Sequence, residues 1–379
     1  MTSRPGRART IPAPAAATPA PRAGATPVLL ATLGACLGLR VLASFTASNW
    51  LWGLDTLRGW PIPAAIALVA IAVAGFVPVS ARAIGRALEE IGSAWAARPA
   101  RGDALACGIV FAVVFTLRDP VLFVGDFALR AGALSLDVPM ARLFPQAFPL
   151  DLALNIHLAR ALAGLGLGPL AGLQMVGALL ACLFTLAVLA FLRAIGARGA
   201  VLPAAALLLL GGGYLVHFAG YDKYGPLLTG IALAAAGATR LARDGGGAWT
   251  LAGGTALCLL STRIGYAVLP PVLLAFLQAW RHGARRGSIG AAAGLTLLIA
   301  LAMLPRTLAI VRGFDARVHM PGGAVARTLE SAGAPDLLVR LSDTLNLLFF
   351  LVPLWPAGVV ALTSARRARP AAAHAGGLG

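Results

Sequence analysis

Residues 170–193, LAGLQMVGALLACLFTLAVLAFLR, form an apolar run in which the first charged residue is Arg193. A run of about 18 or more predominantly apolar residues can cross the roughly 30 Å hydrocarbon core of a bilayer as an α-helix. The composition agrees, because 59% of the 379 residues are hydrophobic and only 12% are charged, whereas soluble domains have about 25% charged residues. The runs also lack the short alternating segments of a transmembrane β-barrel. The sequence therefore predicts an all-α, polytopic membrane protein.

Outward from this run, other apolar runs predict a transmembrane bundle of about ten spans. They cover residues 28–46, 60–80, 104–118, 170–193, 199–218, 225–242, 248–262, 264–281, 288–309 and 343–363. The pair at 248–262 and 264–281 is separated by little more than Arg263. Because Pro270 and Pro271 interrupt the second run, the pair has an alternative interpretation as one kinked helix.

The runs divide the chain into four predicted regions. Residues 1–26 are rich in Pro, Ala and Arg, and we expect a disordered cytoplasmic tail because such a segment cannot bury a core. Residues 27–103 hold two N-terminal spans and a cytoplasmic loop, residues 104–363 hold the main membrane domain, and residues 364–379 form a short cytoplasmic tail.

The net charge of +17 is explained by orientation in the membrane. Arginines occur in every second connection, at 81–103, 193–198, 240–243, 281–286 and 366–369, and the positive-inside rule assigns these segments and the N-terminus to the cytoplasm. No basic patch with interleaved aromatic residues is present, so nucleic acid is not an expected partner. Most acidic residues fall on the other side: Asp55, Asp119, Asp126, Asp137, Asp151, Asp222, Asp315, Glu330, Asp336 and Asp343.

Two connections on the extracytoplasmic side are long, at 119–169 and 312–342. Long loops in compact folds tend to be functional or disordered. The first loop contains apolar residues at helical spacing between Leu150 and Leu162, which predicts an amphipathic helix at the membrane interface. We therefore expect a long helical first extracytoplasmic loop.

This loop opens with DPVLFVGDF at 119–127, which places Asp119 and Asp126 just after a span. A carboxylate near a substrate hydroxyl can accept its proton during group transfer. Asp126 follows Gly125, which allows a tight turn. Asp119 precedes Pro120 and is equally interpretable as a turn or helix-cap residue. For either aspartate, a solvated or capping role is the alternative to catalysis.

Two cations lie between apolar runs, Arg263 in LLSTRIGYAVLPP and Lys223 in HFAGYDKYGPLL. Ionisable residues at membrane depth usually face a cavity or a partner. Arg263 has snorkelling to the headgroups as its alternative role. Lys223 has pairing with Asp222, or an interfacial position beside Tyr221 and Tyr224, as its alternatives.

Five segments taken in order resemble a family. They are VGDFALRAGAL (124–134), FPLDLALNIHLARAL (148–162), HFAGYDKYGPLLTGIALAAAG (217–237), STRIGYAVLPPVLLAF (261–276) and SDTLNLLFFLVPLW (342–355). Their order over residues 104–363 resembles that of bacterial polytopic proteins related to the C-type (GT-C) membrane glycosyltransferases. The resemblance implies a protein of the bacterial cell (inner) membrane that transfers a hexosyl or pentosyl group from a polyprenyl-phosphate-linked donor on the outer face.

The resemblance also implies roles for residues. It maps the catalytic loop aspartate onto Asp126, with Asp119 as the alternative. Arg263, Lys223 and Arg312 would hold the donor phosphate, and Asp222, Asp151 and Tyr221 are further expected substrate-binding residues. The chain departs from the family where a glutamate is usual, since Asp222 and Lys223 stand there, and where a histidine is usual, since Arg263 stands there. No cofactor is implied, and the need for a divalent metal stays open.

Two other classes of function fit a polytopic chain. A transporter or lipid flippase would place functional charges inside its spans and show related halves with interrupted helices, and neither is evident here. A non-catalytic GT-C-like membrane subunit stays an alternative because of the two departures from the family pattern. The acceptor of a transferase would be a glycan, a lipid or a protein.

Overall fold

The computed structural model describes residues 25–46, 53–55, 57–58, 61–117, 127–134, 136, 143–211, 214–221, 224–282, 285–315 and 334–360. All regular secondary structure within these residues is helical. The chain divides into two compact units, Met1–Cys36 with Pro356–Gly379 and Leu37–Trp355. Of the described residues, the first unit holds 25–36 and 356–360, and the second holds the rest.

Most of the helices follow the apolar runs, and the helix at Pro78–Ala97 is an exception. The N-terminal ones are α1 (Ala25–Ser44), α2 (Ile62–Ala74), α3 (Pro78–Ala97), α4 (Pro99–Thr116) and α5 (Phe127–Ala133). Next come α6 (Pro149–Leu167), α7 (Pro169–Ala194), α8 (Val201–Gly211) and α9 (Leu215–Tyr221). The last are α10 (Gly225–Asp244), α11 (Ala248–Ser261), α12 (Leu269–His282), α13 (Arg286–Ile310) and α14 (Ala334–Leu351).

Helix α7, the run quoted first, lies at the centre of the second unit. It packs against α4, α9 and α10, while α10 also packs along α11. A larger share of α7 is buried than of any other candidate span among the described residues. Because nearly all of its residues are apolar, α7 can be surrounded by other helices with few polar groups to desolvate, and buried Thr185 donates to the carbonyl of Ala181 within the helix. Its sequence therefore explains its central position.

Glycines allow α10 and α11 to approach each other closely. A methyl group added at Gly254 would lie 2.4 Å from the backbone nitrogen of Ala234, and one at Gly230 would lie 2.5 Å from the carbonyl oxygen of Gly254. Small residues at helix crossings are typical of membrane bundles, where van der Waals packing rather than the hydrophobic effect holds helices together. No larger residue fits at these two positions without moving a backbone.

Contacts between helix termini define two ends of the bundle. At one end, Arg193 near the end of α7 donates to Asp103 in α4, and Arg243 near the end of α10 donates to the carbonyl of Ala194. We call this the arginine-rich end, because it carries exposed Arg198, Arg240, Arg243, Arg281, Arg285 and Arg286. The opposite end holds the end of α4, the start of α10 and the end of α11, and we call it the cavity end.

The total of about ten spans stays a prediction, because only the described residues can be compared with it. Within the described residues, seven helices have the length and apolarity to cross a membrane, or nine if each of two bent pairs is one span. The predicted single span at 60–80 is instead α2 followed by α3, with a bend of 83° between them. The bend falls where Gly75 precedes Pro78, a residue that begins helices more readily than it continues them. The predicted span at 199–218 is likewise divided into α8 and α9, bent by 61°.

The pair at 248–282 is two helices rather than one kinked helix. Helix α11 ends at Ser261, and Thr262 has an extended backbone with φ −162° and ψ 155°. A 3₁₀ turn at Arg263–Val268 then leads into α12. A methyl group at Gly265 would lie 2.1 Å from the carbonyl oxygen of Cys258, so this turn folds directly back on α11. With 14 residues, α11 is shorter than a usual span.

Helix α6 occupies part of the predicted first extracytoplasmic loop, and it is longer than predicted. By length and composition Pro149–Leu167 could cross a membrane. Its contacts lie at the cavity end, however, since its first turn contacts the end of α11 and Ala159 meets Gly172 in the first turn of α7. These contacts place α6 at this end of the bundle, and its position at the membrane interface stays a prediction.

Candidate functional site

A small cavity lies at the cavity end, where α5, α6, α10 and α11 meet. Its volume of about 20 Å³ admits a single water-sized group. The wall is polar for a membrane protein, and it is formed by Arg130, Phe144, Gln146, Ala147, Asp151, Tyr224, Ser261, Thr262 and Arg263. These residues come from four of the segments that carried the resemblance or from the loop beside them, although they are far apart in the sequence.

Arg130 and Asp151 form a buried ion pair in this wall. One guanidinium nitrogen of Arg130 donates to both carboxylate oxygens of Asp151, at 2.6 Å and 2.8 Å, and the side chains are 4% and 6% exposed. Asn155, one helical turn further along α6, donates to the same carboxylate at 2.9 Å. A buried pair of charges persists only where its geometry and further hydrogen bonds offset desolvation, and these bonds supply that offset.

Two buried polar atoms of the wall lack a hydrogen-bond partner in the described part of the chain. They are the second terminal nitrogen of Arg130, a donor, and the side-chain oxygen of Gln146, an acceptor. Buried polar groups in native proteins are nearly always satisfied, so such atoms indicate where a ligand or water binds. A group that both accepts and donates hydrogen bonds would satisfy both atoms.

Arg263 brings a second guanidinium to the cavity. It is partly buried and begins the 3₁₀ turn that follows Thr262. The hydroxyl of Thr262 accepts a hydrogen bond from the backbone of Ile264 at 3.4 Å, and the hydroxyl of Ser261 donates to the carbonyl of Cys258 at 3.0 Å. The extended backbone at Thr262 thus turns Arg263 away from the axis of α11 and toward the cavity.

Tyr221 has a structural role in this region. It is buried, and its hydroxyl donates to the carbonyl of Val114 at the end of α4. Its ring fills the space beside Gly177, where a methyl group would lie 2.5 Å from the ring. Tyr221 therefore joins α9 to α4 and α7, whereas Tyr224 is the tyrosine of this segment that lines the cavity.

Arg306 holds one wall of the cavity in place. One of its nitrogens donates to the backbone carbonyls of Pro145 and Ala147, at 2.7 Å and 2.9 Å. The loop that carries Phe144, Gln146 and Ala147 is thereby attached to α13. Arg312 lies beyond the end of α13, is exposed, and is not part of the cavity wall.

The remaining candidates from the sequence, Asp119, Asp126, Asp222 and Lys223, lie outside the described residues. In the chain, Asp126 immediately precedes α5, which carries Arg130, and Lys223 immediately precedes Tyr224. Of the eight candidates, Arg263 and Asp151 line the cavity, and Tyr221 and Arg312 do not. Sequence reasoning missed Arg130, Gln146 and Arg306. Arg306 lies in an apolar run, LAMLPRTLAI, the same pattern that pointed to Arg263.

The described part of the chain contains no group of three or more His, Cys, Asp or Glu side chains that could hold a metal ion. The electrostatics of the cavity instead favour an anion. Two guanidinium groups line it and Asp151 is the one carboxylate among the lining residues, so the wall carries a net charge of about +1 at neutral pH. Guanidinium groups bind phosphate and carboxylate oxygens through charge-assisted hydrogen bonds.

The interpretation of this cavity rests on its own residues. Its two guanidinium groups and the unpartnered atoms of Arg130 and Gln146 indicate that a water molecule or one oxygen of an anionic ligand binds there. Comparisons of the chain with protein-family models, with curated proteins and with solved structures find no match.

Proposed function

We propose that this protein is a membrane glycosyltransferase of the GT-C type. It transfers a hexosyl or pentosyl group from a polyprenyl-phosphate-linked donor to an acceptor hydroxyl on the extracytoplasmic face of the bacterial cell membrane. The single observation that carries the proposal is the convergence on one cavity. Arg130, Asp151, Tyr224 and Arg263 each come from a different segment of the resemblance, and all four line it.

The donor phosphate is the ligand that we assign to the two guanidinium groups. Arg263 and the unpartnered nitrogen of Arg130 would each donate to a phosphate oxygen, which is the oxygen-sized group that the cavity admits. Asp151 keeps Arg130 in position and neutralises part of the charge when no donor is bound. Cationic donors on the leaving phosphate stabilise the negative charge that develops on it as the glycosidic bond breaks.

Asp126 is the proposed general base, with Asp119 as the alternative. The carboxylate accepts the proton of the acceptor hydroxyl while the acceptor oxygen forms a bond to the anomeric carbon. The bond between that carbon and the phosphate oxygen breaks, and its electron pair leaves with polyprenyl phosphate. A single displacement of this kind inverts the anomeric centre. The proximity of Asp126 to Arg130 in the chain supports this assignment.

The proposal requires the cavity end to face away from the cytoplasm. The charges of the described residues support this orientation, because the exposed arginines Arg198, Arg240, Arg243, Arg281, Arg285 and Arg286 cluster at the opposite end. Lys and Arg residues in short loops are retained on the cytoplasmic side of a membrane. A lipid-linked donor in the outer leaflet would then present its headgroup at the cavity.

A transfer assay tests the proposal. Membranes containing the protein are incubated with labelled polyprenyl-phosphate sugars, and the label that reaches an acceptor is measured. Asp126→Asn is expected to lower the rate by about 10²- to 10⁴-fold, as the loss of a general base does. Arg263→Gln is expected to lower it by about 10²- to 10³-fold, as the loss of one charge-stabilising donor does.

Arg101→Gln, an exposed substitution at the start of α4, is the matched control and should transfer at the wild-type rate. If Asp119→Asn abolishes transfer and Asp126→Asn does not, Asp119 is the base. If neither aspartate matters, the mechanism is wrong. Absence of transfer by wild-type protein across hexosyl and pentosyl donors would exclude the enzyme and favour a transporter or a non-catalytic subunit.

A further inference from the structure

A second and larger cavity lies at the arginine-rich end, between the end of α10, the end of α12 and the start of α13. Its volume is about 400 Å³, within the range of about 300–1,000 Å³ that small-molecule sites occupy. None of its lining residues lines the cavity of the proposed transfer site. We call it the arginine-end groove.

The floor of the groove is apolar, and its sides are apolar apart from Gln278 of α12. Leu241 and Ile289 form the floor and are 4% and 1% exposed. Alanines of α10 and α12, including Ala242 and Ala279, form the sides. Because alanine side chains are short, the two helices leave a channel that a hydrocarbon chain or a glycerol ester could occupy.

The rim of the groove is charged. Arg285 lies in the wall at the start of α13, together with Asp244 at the end of α10. The charges of Arg285 and Asp244 offset each other, but the same three helix ends also carry the exposed Arg240, Arg281 and Arg286, which do not line the groove. Basic pockets between transmembrane helices bind the headgroups of anionic lipids, and each basic residue near an anionic leaflet contributes measurably to that attraction.

We infer that the arginine-end groove binds one anionic phospholipid. The phosphate diester lies against Arg285, and the glycerol and the first methylenes of an acyl chain lie along the alanine sides. A zwitterionic lipid fits the same channel but adds a cation beside the arginines, so the groove discriminates by headgroup charge. This site is independent of the proposed glycosyl transfer.

Native mass spectrometry of the full-length protein tests this inference. The protein is purified from mixed micelles that contain equal amounts of phosphatidylglycerol and phosphatidylcholine with the same acyl chains, and the bound lipid is counted. We expect one phosphatidylglycerol to be retained in preference to phosphatidylcholine. Arg285→Gln should weaken retention by about fivefold, the factor that one basic residue contributes at an anionic surface.

Three further variants separate the groove from the general charge of this end. Arg198→Gln removes an exposed arginine that does not line the groove, and its retention should equal that of the wild type. Ala242→Phe fills the channel from an exposed position and should weaken retention without a change in charge. Asp244→Asn keeps the oxygen that accepts from Gly246 but removes the negative charge, and should strengthen retention.

Equal retention of the two lipids by the wild type would overturn the inference. So would an equal loss in Arg285→Gln and Arg198→Gln, since that result would assign the binding to charge alone. Each variant is also melted in detergent. For a variant with a lowered melting temperature, only the ratio of retained phosphatidylglycerol to retained phosphatidylcholine is compared, because loss of folded protein lowers both lipids together. A ratio in Arg285→Gln equal to that of the wild type would contradict the site.

Discussion

The ion pair between Arg130 and Asp151 is the residue-scale feature on which the cavity depends. Both side chains are almost fully buried, and Asn155 donates to the same carboxylate. Removing one partner of such a pair leaves an uncompensated charge in a medium of low dielectric, whereas replacing both partners by neutral groups is often tolerated. The pair can therefore be separated into its contribution to stability and its contribution to binding.

Arg130→Met should lower the free energy of unfolding by about 3–5 kcal/mol, because Asp151 then stays buried without its cation. The double variant Arg130→Met with Asp151→Asn should recover most of this loss, since asparagine keeps an acceptor for Asn155 but carries no charge. Thermal melting in detergent measures both. If the double variant melts as low as the single one, the buried charge is not the cause of the loss.

The same double variant should fail in glycosyl transfer while it remains folded, because it lacks the Arg130 guanidinium that is proposed to hydrogen-bond the phosphate.

The sequence alone could not predict the pair of Arg130 and Asp151. Arg130 and Asp151 are 21 residues apart, and only the packing of α5 against α6 brings them together. Arg263 was found, because an arginine between two apolar runs stands out by type and position alone.

At the scale of helices, the contact between α10 and α11 provides a matched pair of glycines. A methyl group at Gly254 would meet the backbone nitrogen of Ala234 at 2.4 Å, while a methyl group at neighbouring Gly253 would meet no atom within 4 Å. Gly253 is exposed and Gly254 is buried. The two positions share one helix and differ in what they face.

Gly254→Ala should destabilise the protein by about 1–3 kcal/mol, the usual cost of overpacking where the neighbour is backbone. Gly253→Ala should be neutral, or stabilising by up to about 1 kcal/mol, because alanine is the better helix former. Melting temperatures of the two variants, measured side by side, decide this. An equal fall in both would show that helix propensity or lipid contact, rather than the helix crossing, controls stability here.

Helix α3 is an element that hydropathy alone does not reveal. It leaves α2 at 83°, and the buried Gly92 anchors it where a methyl group would lie 2.2 Å from the carbonyl oxygen of Gly199. Ile84 and Ile91 remain about half exposed, at 51% and 49%, whereas the charged residues of α3 lie on the opposite side of the helix. An amphipathic helix with this division lies in the plane of the membrane interface.

Fluorescent labels on single cysteines test whether α3 lies at the membrane interface. The labels are introduced into a variant in which the four native cysteines, all free, are replaced by alanine. Labels at Ile84 and Ile91 should be quenched by lipid-borne quenchers and protected from iodide. Labels at Arg82 and Arg86 should show the opposite pattern. Equal exposure of all four labels to iodide would mean that α3 stands away from the lipid.

The sequence predicted the helices better than their breaks, for a physical reason. Hydropathy measures how apolar a window is, and the windows at 60–80 and 199–218 are apolar throughout, so a bend within them leaves the hydropathy unchanged. The sequence did predict separate runs at 248–262 and 264–281, divided near Arg263, although one kinked helix was the alternative. The glycine contacts and the cavity depend on which helices are neighbours, and no local pattern specifies that.

At the scale of the whole molecule, the described residues of the second unit place different chemistry at its two ends. The arginine-rich end carries most of the exposed cations and the larger groove, while the cavity end carries the buried ion pair and the polar cavity. Transfer on the outer face and lipid binding on the inner face both require the same orientation. That orientation follows from the positive-inside rule, and a single experiment on intact cells can test it.

Arg198→Cys and Arg312→Cys report on the two ends, because both positions are exposed. Arg312 follows α13, and α13 is tied to the cavity wall through Arg306, whereas Arg198 precedes α8 at the arginine-rich end. In the cysteine-free background, a membrane-impermeant maleimide should label residue 312 on intact cells and residue 198 only after the membrane is opened. The positive charge of the arginine-rich end is the reason, since translocating it costs free energy. Labelling of residue 198 alone on intact cells would show that the protein has the opposite orientation in the membrane. The proposed transfer site would then face the cytoplasm.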